Sequence, residues 1–150
     1  MIEAGRSAPA FSLARHESPP FTERDLRGGT TVLVFYPFAF SPVCTDQLGI
    51  YNELLDDFAD EGAAVYGVSC DSTWSQAAFR RQLGIDIEQL SDFWPHGRTS
   101  AAFGVLDPGG FAHRAIVIVG TDGVVTWSHL SASLDELPGP NLIFDALAGV

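Results

Sequence analysis

Residues 31–44 read Thr31-Val32-Leu33-Val34-Phe35-Tyr36-Pro37-Phe38-Ala39-Phe40-Ser41-Pro42-Val43-Cys44. Five of the first six are β-branched or aromatic and the six are nearly all apolar, which predicts a strand covered on both faces. Pro37 stops it, because proline brings no N–H to a ladder. Ser41 then stands where a helix N-cap belongs, with Pro42 at the first helical position. Beyond it, Leu48, Tyr51, Leu55 and Phe58 recur at spacings of three and four, opposite a run of acidic residues. That periodicity predicts one helix from Pro42 to about Glu61.

The same reading extends along the chain. Ala63–Ser69 reads as a second buried strand, followed by a helix from about Thr73 to Leu83 that Asp71 or Ser72 can cap and Gly84 ends. Glu88–Ser91 and Arg98–Phe103 read as a short strand and a short helix. Arg114–Val119 and Val124–Ser128 are strands joined through Thr121-Asp122-Gly123, a strong hairpin signal. Asn141 is expected to cap a last helix to about Ala148. The order β-α-β-α, hairpin, α predicts an α/β, thioredoxin-like fold. Its central mixed sheet carries helices on both faces, with an N-terminal extension of short strands near Phe11–Leu13. Residues 1–150 are expected to form one domain.

Charge excludes several classes of partner. Nineteen acidic residues face eight basic ones, all arginine, for a net charge of −11. Such a surface repels phosphate backbones and anionic lipid, so neither nucleic acid nor membrane is an expected partner. No apolar run approaches the roughly 18 residues that span a bilayer, and the first residues do not read as a signal peptide. The expected location is cytoplasmic. The two cysteines, Cys44 and Cys70, are too few for a disulfide scaffold. A special position therefore points to a reactive or simply buried thiol.

Cys44 has such a position. With Ser41 as N-cap it is the third helical residue, where unpaired backbone N–H groups and the positive end of the helix dipole favour an anion. That end contributes about 0.3–1 kcal/mol, up to ~2 where partly buried. A thiolate at neutral pH asks for more, so a reactive Cys44 calls for an arginine partner in the fold. Lying four residues before Leu48, the sulfur belongs on the apolar face and is expected in a pocket, only partly exposed.

Pro37, Ser41 and Cys44 match the Pro-x-x-x-Thr/Ser-x-x-Cys motif of the peroxiredoxins. Leu90-Ser91-Asp92-Phe93-Trp94-Pro95-His96-Gly97, Ala102-Phe103-Gly104-Val105 and Ala112-His113-Arg114 resemble the AhpE-type, one-cysteine branch of that family. Ala8-Pro9-Ala10-Phe11-Ser12-Leu13 resembles its usual opening, and the similarity covers nearly the whole chain. The resemblance implies a thiol peroxidase acting on hydrogen peroxide and organic hydroperoxides, and a homodimer. Cys44 would be the peroxidatic cysteine, oxidised to sulfenic acid. Ser41 would supply a hydroxyl to thiolate and peroxide, and Pro37 would shield the sulfenic acid. Arg114 would stabilise the thiolate and the charge developing on oxygen, helped by the backbone N–H groups of Val43 and Cys44.

Other residues carry weaker signals. Trp94 and Phe93 are expected near the pocket, with Trp94 and Val43 as substrate contacts. Cys70 is the only internal candidate for a resolving thiol; an external thiol or small redox protein is the expected reductant. The four histidines show no metal-ligand spacing, and cleaving an O–O bond this way calls for no metal or organic cofactor. A peroxide sensor or a thiol–disulfide exchanger on the same fold remains the alternative, although the chain has no Cys-x-x-Cys pair.

Overall fold

The computed structural model describes residues 1–149. Its strands are β1 (Ser12–Arg15), β2 (Ser18–Thr22), β3 (Thr30–Phe35), β4 (Ala63–Ser69), β5 (Glu88–Ser91), β6 (Ala115–Val119) and β7 (Val125–Leu130). Its helices are α1 (Pro42–Asn52), α2 (Leu55–Asp60), α3 (Thr73–Leu83), α4 (Arg98–Ala102) and α5 (Pro140–Ala148). The strands form one mixed sheet in the order β2-β1-β5-β4-β3-β6-β7. The all-apolar β3 lies at its centre, parallel to β4 (Val32 beside Val65) and antiparallel to β6 (Val34 beside Ile116).

Side chains of successive strand residues point to opposite faces, and the sheet uses both. Val32, Val34 and Tyr36 of the β3 segment join Ile116 and Ile118 of β6 beneath α1, α2, α3 and α5. Leu33, Phe35, Val117 and Val119 face the other way, under Leu13, Phe21, Phe103 and Val105. The thioredoxin-like α/β arrangement read from the sequence is thus present, with helices on both faces and the N-terminal extension built from β1 and β2.

Several boundaries differ from the expectation: β7 runs over Val125–Leu130 rather than Val124–Ser128, β6 and α4 are each one residue shorter, and two helices differ by more. The predicted helix 42–61 is two helices, with Glu53 capping the first and Leu54 (φ −109°) opening the second. The side-chain carbonyl of Asn52 accepts the backbone N–H groups of Asp86 (2.8 Å) and Ile87 (3.3 Å), tying the end of α1 to the approach to β5. The last helix begins at Pro140 with Gly139 as its cap, two residues before the expected cap Asn141. Elsewhere local signals hold: Ser72 accepts from Ser75 N–H, and Gly84 ends α3 at φ 65°. Among the described residues, no helix is long and apolar enough to cross a membrane.

Candidate active site

The loop from β3 to α1 leaves the sheet at its carboxyl edge. Tyr36 N–H still reaches Val68 O (3.0 Å), and Pro37 is buried directly after it. Ala39 N–H donates to the Asp71 carboxylate at 2.8 Å, which anchors the middle of the loop to the segment following β4. Phe40 takes a positive φ of 71° and delivers Ser41 to the N-cap position. The Ser41 backbone is extended (φ −68°, ψ 148°), but its hydroxyl makes no capping bond. Thr45 N–H pairs with Ser41 O at 2.9 Å. The N–H groups of Val43 and Cys44 have no partner among the described residues, as expected of a first helical turn.

Arg114 comes to this turn from the neighbouring strand. Ala115 pairs with Phe35 across the β3–β6 ladder. Alternation puts Arg114 on the same face as Ile116, under α1. Its Nη2 donates to Cys44 Sγ at 3.2 Å, its Nη1 to Gln47 Oε1 at 2.6 Å and its Nε to Leu134 O at 2.9 Å. The residue is 2% exposed, and among the described residues no carboxylate lies within ion-pair distance of it. A buried guanidinium without a counter-charge is costly. Of its three partners, two are neutral amide oxygens, and only the sulfur of Cys44 can become an anion. The arginine required by the helix-dipole argument is therefore present, and its burial makes the thiolate its natural partner.

Sequence reasoning missed Gln47 and Tyr51. Both are fully buried on α1. Gln47 Nε2 donates to Tyr51 Oη at 3.2 Å, and Tyr51 Oη donates to Pro138 O at 2.5 Å. Burial pushes the Tyr51 hydroxyl up to about 12, with the Gln47 hydrogen bond and Arg114 pulling weakly the other way. The available signal was a glutamine at Cys-x-x-Gln, an amide on the apolar side of an amphipathic helix.

Two expectations need correction, for Cys44 and for Trp94. Cys44 is not partly exposed: none of its surface reaches solvent, because it joins Leu48 and Tyr51 in the layer packed on β3 and β6. Trp94 does not join the group around Cys44. It is 80% exposed and lines a separate cleft with Phe11, Thr22, Asp92 and Arg98. Val43 is half-buried. Cys70 does sit at the same sheet edge as the catalytic loop, but its side chain follows Tyr66 and Val68 onto the face away from α1. Burial, then the Asp92 carboxylate, pushes the Cys70 thiol up to about 11. The Ser100 hydroxyl borders it without completing a hydrogen bond elsewhere. No group of three His, Cys, Asp or Glu is placed to hold a metal among the described residues.

Known proteins resemble this chain in sequence and in fold. The model of the AhpC/TSA family matches residues 4–128. Alkyl hydroperoxide reductase E of Mycobacterium tuberculosis is 32% identical over 152 residues, covering 100% of this chain and 99% of its own. The crystal structure of AhpC from Enterococcus faecalis superposes with a TM-score of 0.90 at 26% identity, over 99% of this chain and 92% of that one. Peroxidoxin BcpB from Mycobacterium tuberculosis gives 0.86 at 27% identity, over 100% and 99%.

Proposed function

Given that the chain belongs to the AhpC/TSA family of peroxiredoxins and is a thiol-dependent peroxidase, we propose that Cys44 is its peroxidatic residue and that Pro37, Ser41 and Arg114 share the work around it. The observation that carries this assignment is the 3.2 Å contact between a buried, carboxylate-free Arg114 and Cys44 Sγ.

The chemistry follows from the charges. The Cys44 thiolate attacks the terminal oxygen of a hydroperoxide ROOH. The S–O bond forms as the O–O bond breaks, leaving Cys44 as sulfenic acid and releasing RO⁻, which takes a proton from solvent to become ROH, or water from hydrogen peroxide. Arg114 and the N–H groups of Val43 and Cys44 stabilise the negative charge as it moves from sulfur to the departing oxygen. Ser41 Oγ, free of capping duty, orients the peroxide. The buried Pro37 keeps water from the sulfenic acid. Since Cys44 has no exposed surface, part of its cover must shift for a peroxide to enter.

An external thiol then attacks the sulfenic sulfur, releasing water and forming a mixed disulfide that a second thiol displaces. Cys70, on the opposite face of the sheet, is left out of this cycle, and so is the exposed Trp94. A homodimer is supported by an exposed aromatic row beside the catalytic loop. The Phe38 ring lies 5.0 Å from Phe111, Gly110 O meets His96, and His96 adjoins Phe93. The same reading takes residues 1–150 as one cytoplasmic domain.

Stopped-flow oxidation of Arg114→Ala by hydrogen peroxide tests the assignment. Loss of a fixed charge at the reacting oxygens should slow the step by about 10²–10³-fold; a wild-type rate would remove Arg114 from the mechanism.

A further inference from the structure

Nothing in the proposed chemistry uses Tyr51, yet its hydroxyl closes a chain of hydrogen bonds that starts at the reacting sulfur. Cys44 Sγ accepts from Arg114, Arg114 donates to Gln47 Oε1, Gln47 Nε2 donates to Tyr51 Oη, and Tyr51 donates to Pro138 O. A second branch runs from Arg114 Nε to Leu134 O (2.9 Å), beside Ser131 N–H on Arg114 O (3.0 Å). Both branches end on the strap 131–138, which joins β7 to α5.

The direction of the chain is dictated from its far end. Pro138 O can only accept, so the Tyr51 hydroxyl must donate to it. Its oxygen is then an acceptor, and Gln47 must turn its NH₂ end towards it. The carbonyl end of Gln47 is left facing Arg114. The raised Tyr51 hydroxyl, held protonated by burial, keeps that polarity fixed. Seven residues beyond Cys44, about two helical turns or roughly 10 Å along α1, Tyr51 touches no reacting atom.

We infer that Tyr51 is a positioning residue for the peroxidase: it fastens the 131–138 strap to α1 and sets the orientation of the Gln47 amide, and through both it aims the Arg114 guanidinium at Cys44. The inference rests on Arg114 serving Cys44. Without the Tyr51 hydroxyl, Gln47 can flip, and the strap loses its tie to α1 at Pro138.

The test is stopped-flow oxidation by hydrogen peroxide, run on the full chain as a double-mutant cycle. Tyr51→Phe should slow oxidation of Cys44 about five- to tenfold, the worth of one neutral hydrogen bond or slightly more. Its pH–rate profile should change in the same sense as that of Arg114→Ala. In an Arg114→Ala background, Tyr51→Phe should change nothing further. A wild-type rate in Tyr51→Phe, an unmoved pH profile, or the same loss in both backgrounds would overturn the inference. If Arg114→Ala is slow and Tyr51→Phe is not, the positioning role alone fails. If Arg114→Ala keeps the wild-type rate, the reading of the active site fails with it. Should Tyr51→Phe prove too unstable to assay, Gln47→Leu cuts the same chain one link nearer, and the same outcomes apply.

Discussion

Two helices of this chain open on serine, and only one of them uses it as a cap. Ser41 and Ser72 have nearly the same backbone, at φ −68°, ψ 148° and φ −66°, ψ 159°. Ser72 Oγ accepts the N–H of Ser75, three residues on, at 3.2 Å. Ser41 Oγ makes no such bond, and Cys44 occupies the position that Ser75 has in α3. The α3 start uses its hydroxyl to complete the helix. The α1 start leaves a hydroxyl and two backbone N–H groups unspent around a sulfur. It has Pro42 at its first position, which removes one donor that would otherwise need a partner. Equal helix ends thus diverge through what faces them: a guanidinium reaches α1, whereas Ser75 of α3 is exposed.

The contrast can be broken most severely by making the two starts alike. Cys44→Ser gives α1 the Ser-x-x-Ser pattern of α3 and should reduce peroxide turnover to the background of free thiols, measured by peroxide consumption with a dithiol reductant. Adding Ser75→Cys to that variant puts a thiol at the equivalent position of α3. Turnover should stay at background, because a helix end alone supplies about 1 kcal/mol to an anion. Recovery of activity would show that the arginine is dispensable.

Ser41→Ala should cost about ten- to a hundredfold in the rate of Cys44 oxidation, in keeping with one hydrogen bond to a charged group. Its melting temperature should stay put, since no cap is lost. Ser72→Ala should do the reverse, lowering stability by about 1 kcal/mol in denaturant titrations with peroxide kinetics intact. A stability loss in both, or a kinetic loss in both, would erase the distinction between the two ends.

The smallest effect concerns the thiol that has no helix end. Cys70 is raised from 9.0 to about 11, so the native state holds this proton more tightly than the unfolded chain. Its contribution to stability is complete below about pH 9 and is lost as pH climbs towards 11. Cys70→Ala should flatten that alkaline decline in urea midpoints. At pH 8, a mild alkylating agent should leave Cys70 unmodified in the native protein.

Much of this was legible in residue order. The central strand, the Ser41–Cys44 turn, the caps of α3 and the Asp-Gly hairpin are local signals, and the structure has them where they were expected. The break after Asn52 was not legible, because Tyr51, Leu55 and Phe58 keep helical spacing across it. At the break Asn52 makes a contact 34 residues away, where it takes the N–H of Asp86. Arg114 was found because a thiolate needs a cation and the family motif supplied one. Gln47 and Tyr51 matter through Arg114 on one side and Pro138 on the other, and the contribution of Pro138 is a backbone carbonyl that every residue carries. Trp94 was misplaced because an aromatic side chain near a motif says nothing about which face of the sheet it will occupy.

Phe40 holds one more consequence. Its φ of 71° is a conformation that a bulky side chain adopts at a cost of order 1 kcal/mol or more. Two contacts hold it there, the neighbouring Ala39–Asp71 bond and the Phe40 ring set edge-on against Phe79 at 5.2 Å. The residue that precedes the Ser41 cap is therefore held in a costly conformation by a carboxylate and an aromatic ring. Removing either contact, by Asp71→Ala or Phe79→Ala, should let residue 40 relax and shift Ser41 at the start of α1.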